Sequence, residues 1–117
     1  MPEAQLNLGI IYEEGKYVPR NIKKALHYYS LAANQNIPEA QFILGTIFFE
    51  GKDVIRDINK AILYYTLAAD QNHSEALFNL GYIYLVGEFV SCDINKAKKF
   101  FTRASYQNHQ KASYAIG

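Results

Sequence analysis

One interval constrains this chain more than any other feature. Ala4, Ala40, Ala76 and Ala112 recur every 36 residues, and Gly9, Gly45, Gly81 and Gly117 keep the same step. The stretch from Ala40 to Glu75 has an imperfect copy on either side. A fixed period of this size is the mark of a solenoid, in which no unit buries its own apolar face and stacked neighbours do it for one another. The expected division is one array: residues 4–39, 40–75 and 76–111 as three units, then 112–117 as a partial fourth. Neither end reads as the polar cap a terminal repeat needs, so the expectation is a piece of a longer array or a chain whose end helix is truncated.

Each unit reads as two helices. Ala4, Leu8, Ile11 and Tyr12 fall at i, i+4, i+7 and i+8, one apolar stripe at helical period. Gly15, Gly51 and Gly87 should end the first helices, because glycine accepts the left-handed conformation that closes a helix. A short loop follows, with Val18, Val54 and Val90 expected to plug the base of each helix pair. Asn21, Asp57 and Asp93 are then placed to cap the second helices. Ile22, Ala25, Leu26, Tyr29, Ala32 and Ala33 share one face of that helix. Asn36, Asn72 and Asn108 suit left-handed closure of it, and Pro38 opens the next unit.

Two recurrences need a contact to explain them. Gly9, Gly45 and Gly81 lie inside first helices, where glycine costs about 1 kcal/mol relative to alanine. A close backbone crossing between paired helices is expected there, against the small Ala25, Ala32 and Ala33 of the facing helix, and Ala25, Ala61 and Ala97 count with the glycines as repeated structural positions. The aromatic pairs Tyr28-Tyr29, Tyr64-Tyr65 and Phe100-Phe101 are expected to fill the space between successive hairpins. Lys24, Lys60 and Lys96 recur in the first turn of the second helices, where the helix dipole mildly disfavours a cation. Nothing in the sequence explains them.

Composition narrows the function. A formal net charge of +1 argues against the basic stripe that would neutralise several phosphates. Cys92 is the single cysteine, so no intrachain disulfide forms, and the cytoplasm is the default compartment. No apolar run approaches the roughly 20 residues of a membrane span. Two histidines in register, His73 and His109, have no carboxylate or thiolate at ligand spacing and read as exposed turn residues, with no metal or other cofactor called for. Cys92 stands where earlier units carry Arg20 and Arg56 and has no histidine placed to activate it. No phosphate loop, zinc motif or kinase signature occurs, so no enzyme is expected.

The run Ala40-x-x-x-Leu44-Gly45-x-x-Phe48-x-x-Gly51-x-x-Val54-x-x-Asp57-x-x-Lys60-Ala61-x-x-Tyr64-Tyr65-x-x-Ala68-Ala69-x-Gln71 resembles the Sel-one-like repeat (SLR), related in fold to the tetratricopeptide repeat. The resemblance covers the whole chain. It implies an all-α, right-handed α-solenoid of antiparallel helix hairpins, acting as a scaffold or adaptor for protein complexes. Some such arrays are joined to catalytic domains such as kinases. A cysteine-rich bacterial branch staples each hairpin with a disulfide and is linked to β-lactam binding, which Cys92 alone does not carry over. The chain departs from the family in two places. Tyr17, Asp53 and Phe89 stand where the loop usually has a second glycine, and Asn36, Asn72 and Asn108 stand where a glycine usually follows the glutamine.

In the related tetratricopeptide fold the concave surface comes from the first helices. Carried over by register, the face comprises Glu3, Leu6, Ile10, Glu13 and Glu14, then Glu39, Phe42, Thr46, Phe49 and Glu50, then Glu75, Phe78, Tyr82, Leu85 and Val86. Phe49, Tyr82 and Leu85 are expected to be exposed, whereas Leu6, Phe42 and Phe78 fit groove and core equally. Such a surface, apolar in the middle and acidic along one edge, suits an apolar peptide or an amphipathic helix with basic flanks, free or on a partner domain. The alternatives are a nucleic-acid-reading helical repeat, which the acidic edge disfavours, and a spacer or regulatory array beside a catalytic domain. Apolar hairpin faces at the ends make end-to-end self-association a further expectation.

Overall fold

Every first helix closes on its glycine. In the computed structural model, which describes the backbone of residues 1–116 and the side chains of residues 1–107, these helices are α1 (Pro2–Glu14), α3 (Pro38–Glu50) and α5 (Ser74–Val86). Gly15, Gly51 and Gly87 take φ of 69°, 67° and 69° and donate their amides to the carbonyls of Ile11, Ile47 and Ile83. Between them lie α2 (Ile22–Asn34), α4 (Ile58–Ala69) and α6 (Ile94–Ile116). Their entries are capped as the residue types dictate. Asn21, Asp57 and Asp93 accept the amides of Lys24, Lys60 and Lys96 at 3.0, 3.1 and 3.0 Å.

The helices form three hairpins stacked in chain order. Packing is densest inside each hairpin, and the next layer of contact joins α2 to α3 and α4 to α5. The core lies at those two junctions. In the first, Ala25, Tyr29, Ala32 and Ala33 meet Ala40, Leu44 and Ile47. In the second, Ala61, Tyr65, Ala68 and Ala69 meet Ala76, Leu77, Leu80 and Ile83. Val54 and Val90 pack against these clusters, and Val18 is half-buried. The backbones of successive first helices stay apart, and hollows between their side chains open on one face. Among the described residues, no helix is long and apolar enough to cross a membrane.

The recurrent glycines serve a ring, not a backbone crossing. A Cβ on Gly9 would lie 2.6 Å from the Tyr29 ring, one on Gly45 2.7 Å from Tyr65 and one on Gly81 2.9 Å from Phe101. Only at Gly45 is backbone among the closest atoms, the Ala61 carbonyl oxygen at 3.2 Å. Ala25, Ala61 and Ala97 are buried. Of the aromatic pairs, Tyr29 and Tyr65 reach the junctions between hairpins as the sequence reading expects, while Tyr28, Tyr64 and Phe100 stack within their own hairpins. Tyr12 stacks on Tyr28, Phe48 on Tyr64 and Tyr84 on Phe100, at 5.9, 6.1 and 6.0 Å between centroids. The unexplained lysines finish this arrangement. The ammonium groups of Lys24, Lys60 and Lys96 lie 5.1, 5.1 and 4.9 Å from the centres of the Tyr12, Phe48 and Tyr84 rings. Attraction to the ring quadrupole offsets the poor position on the dipole.

Asn36 and Asn72 take positive φ, 67° and 64°, as left-handed closures. The α6 helix instead runs on through Asn108 and the start of the expected fourth unit at Ala112. After Asn36 and Asn72 come Ile37-Pro38 and His73-Ser74, and proline or a capping residue starts a new helix. His109 and Gln110 stand there in the third unit, and glutamine in place of proline or serine favours continuation. Gly117, the last of the glycine series, lies outside the described residues.

Candidate partner-binding groove

The first-helix face holds the residues that sequence register selects. Leu6 and Ile10 are half-buried and lean on the first core cluster. Phe42 is half-buried between the rings of Tyr65 and His73, at 5.7 and 4.7 Å. Thr46 is tied down, its hydroxyl 3.1 Å from the Phe42 carbonyl oxygen and 3.0 Å from the Tyr65 hydroxyl. Phe78, Tyr82 and Leu85 are exposed, the first two by 54% and 55%. Phe49 departs from its expected exposure: it is half-buried against the second core cluster and meets Phe89 edge-on at 5.5 Å.

Two adjoining hollows open between α3 and α5, and both are walled by Phe49, Tyr82 and Ile83. The smaller, about 150 Å³, has Tyr65 and Asn79 as further lining. The larger, about 320 Å³, continues to Arg56, Val86, Glu88 and Phe89. A third hollow of about 310 Å³ lies toward the helix starts, among Phe42, Ser74, Glu75, Phe78 and Asn79. Together they make a trough of aromatic walls with scattered polar groups. Burial raises the pKa of the Tyr65 hydroxyl despite hydrogen bonds with Thr46 and Asn79, so it stays a neutral hydroxyl.

The expected acidic edge is partly spent on internal bonds. Glu13 accepts the Tyr29 hydroxyl at 2.5 Å, and burial followed by this bond pushes the tyrosine far above its ordinary range. Glu39 meets His73 Nε2 at 2.9 Å. Glu3, Glu14, Glu50 and Glu75 remain exposed. His73 is not the exposed turn residue its position suggests. Its Nδ1 accepts the Ala76 amide at 3.2 Å and caps α5, which places the ring proton on Nε2, facing Glu39. The side chain of His109 lies outside the described residues.

Arg56, Asn79 and Phe89 were absent from the sequence-derived face. A signal for two of them existed. Arg20 and Arg56 share a register, and Phe89 stands at the loop position where Tyr17 and Asp53 replace the usual glycine. The loops nonetheless keep their form in all three repeats, because the turn itself depends on Gly15, Gly51 and Gly87.

Stacked helical hairpins with an open aromatic strip along the first helices define a helical-repeat array. The Sel1 repeat family matches residues 2–37, 38–73 and 74–109, nearly the whole chain, and the chain belongs to that family. Proteins of this family are typically protein-interaction modules. Comparison with curated protein sequences gave no match. Among solved structures, a Sel1 repeat protein from Oxalobacter formigenes superposes with a TM-score of 0.84 at 32% identity, over 91% of this chain and 43% of that one. A protective antigen of uropathogenic Escherichia coli displaying an SLR fold gives a TM-score of 0.85 at 30% identity, over 91% of this chain and 23% of that one. Cysteine-rich protein B of Helicobacter pylori gives 0.71 at 26% identity, over 89% and 85% of the two chains. The chain thus spans less than half the length of the first two proteins.

Proposed function

We propose that the array is a non-catalytic scaffold or adaptor module that holds an apolar or amphipathic peptide, or an exposed piece of a partner domain, along its first-helix face. The observation that carries this reading is the concentration of Phe78, Tyr82, Leu85, Val86 and Phe89, all exposed, beside hollows walled by Phe49. Aromatic groups rimming a preformed groove are the usual anchors of protein recognition. The free glutamates on the same face weigh against nucleic acid as its ligand. A cytoplasmic setting, and membership of a longer array made of units 4–39, 40–75 and 76–111, belong to the same proposal. The limited coverage of the first two related structures supports the second point.

The test is capture of partners from a lysate on the immobilised chain beside a Tyr82→Glu, Val86→Glu double variant. Phe49 is left intact because it supports the core. Proteins retained by the wild type and lost from a variant with unchanged circular dichroism are expected. Equal capture by both would move the site off this face.

A further inference from the structure

The inter-helix loops repeat one device, and the second copy is missing its partner. In the first unit Arg20 donates from Nε to the Glu13 carbonyl oxygen at 2.8 Å, which aims its fork at the following loop. There the two terminal nitrogens bind both carboxylate oxygens of Asp53, at 3.1 and 2.8 Å. In the second unit Arg56 repeats the anchor, donating from Nε to the Phe49 carbonyl oxygen at 2.9 Å. The residue in the register of Asp53 is now Phe89. The guanidinium lies over that ring, 5.1 Å from its centre. Among the described residues neither terminal nitrogen of Arg56 has a hydrogen-bond or ion-pair partner.

The exchange of aspartate for phenylalanine does two things at one place. It frees a fork that is already oriented by a backbone carbonyl and an aromatic face. It also supplies a wall of the roughly 320 Å³ hollow that Arg56 borders with Phe49, Tyr82 and Val86. A planar, pre-aimed guanidinium binds carboxylate through two parallel hydrogen bonds and loses little side-chain freedom in doing so. Glu88 also borders the hollow, so a second acid on the ligand meets a like charge.

We propose that Arg56 receives the side-chain carboxylate of a single Asp or Glu in the bound segment, filling for Arg56 the place Asp53 fills for Arg20. A large apolar residue beside that acid occupies the hollow between Tyr82 and Phe89. The proposal rests on the reading of this face as a peptide-binding groove. It adds a charge requirement which the exposed glutamates alone would not suggest.

The probe is a random octapeptide display library selected on the immobilised 117-residue chain, with selected peptides then titrated by fluorescence anisotropy. Selection is expected to enrich one acidic residue adjacent to an aromatic or aliphatic one. Replacing that acid by its amide should weaken binding about tenfold, as should Arg56→Gln. Phe89→Asp should have the same effect by restoring the internal pair, and it leaves Arg56 itself in place. Both variants are checked for unchanged circular dichroism. Selected peptides that lack an acid, or that bind folded Arg56→Gln as well as the wild type, overturn the carboxylate site while leaving a groove. Failure to select any peptide overturns the groove and this inference with it.

Discussion

At the scale of one residue, Gly45 shows how little slack the hairpins have. Its missing Cβ leaves room for Tyr65, and an added side chain would meet that ring and the Ala61 carbonyl together. Gly45→Leu should therefore lower stability by about 2–3 kcal/mol, as overpacking of a dense core does, read as the urea midpoint at constant slope. An unchanged midpoint would mean that the ring moves aside freely. The hydroxyl of Tyr29 offers a separate test. Burial, then its bond to Glu13, raises its pKa in the folded chain, whereas an unfolded tyrosine ionises at about pH 10. The folded state thus holds a proton the unfolded state releases, and this part of the stability is present below about pH 10 and is lost as pH rises beyond it. Wild-type stability should fall between about pH 10 and pH 11 more steeply than that of Tyr29→Phe. Equal slopes would assign the fall to other groups.

At the scale of the element, the last carbonyls of two second helices take a side-chain donor besides the backbone amides of the turn, and the two repeats supply it differently. After α2 the buried Gln41 donates to the Ala33 carbonyl oxygen and the Asn36 side chain, both at 3.2 Å. After α4 its register position is Leu77, and Arg103 donates instead to the Ala69 carbonyl oxygen at 2.8 Å and the Asn72 side chain at 3.1 Å. Leu67 holds the register of Arg103 one unit earlier. Gln41→Leu should cost about 1–3 kcal/mol by removing these bonds and the Gln41 oxygen that accepts from Gln71, and adding Leu67→Arg should recover part of it. A double-mutant cycle with no coupling would refute the exchange. This substitution pattern marks the limit of what the sequence discloses. The period, the glycine stops and the Asn21, Asp57 and Asp93 caps are local, and each is legible from a few neighbouring residues. The donors at 41 and 103 find partners from a neighbouring unit, and no spacing rule announces which side chain will do so. The freed fork of Arg56 escaped for the same reason, whereas the lysine stacks on Tyr12, Phe48 and Tyr84 lie within one unit but join two helices whose relative turn the register alone does not give. Phe49 was misplaced because helical register gives a direction, while the neighbour that covers it, Phe89, comes from the next loop.

At the scale of the whole molecule, stability should follow the stacking, because each hairpin touches only its neighbours. The first helices are unequal in this respect. In α3, Ala40, Leu44 and Ile47 are buried against the preceding hairpin, and in α5, Ala76, Leu80 and Ile83 are. The same stripe in α1 leaves Ala4 exposed and Leu8 and Ile11 each 36% exposed, with Gly9 the only buried residue of that helix. Amide hydrogen exchange should accordingly be fastest in α1 and slowest in α3 through α5 at low protein concentration. Uniform protection would contradict a nearest-neighbour array. The α1 stripe has the shape its copies bury, so it also supports end-to-end association between chains. If that occurs, protection of α1 rises with protein concentration, and Leu8→Glu with Ile11→Glu abolishes the rise without slowing or hastening exchange in α5. Protection independent of concentration, with one constant mass by light scattering, would leave α1 an exposed end and confine recognition to the first-helix groove.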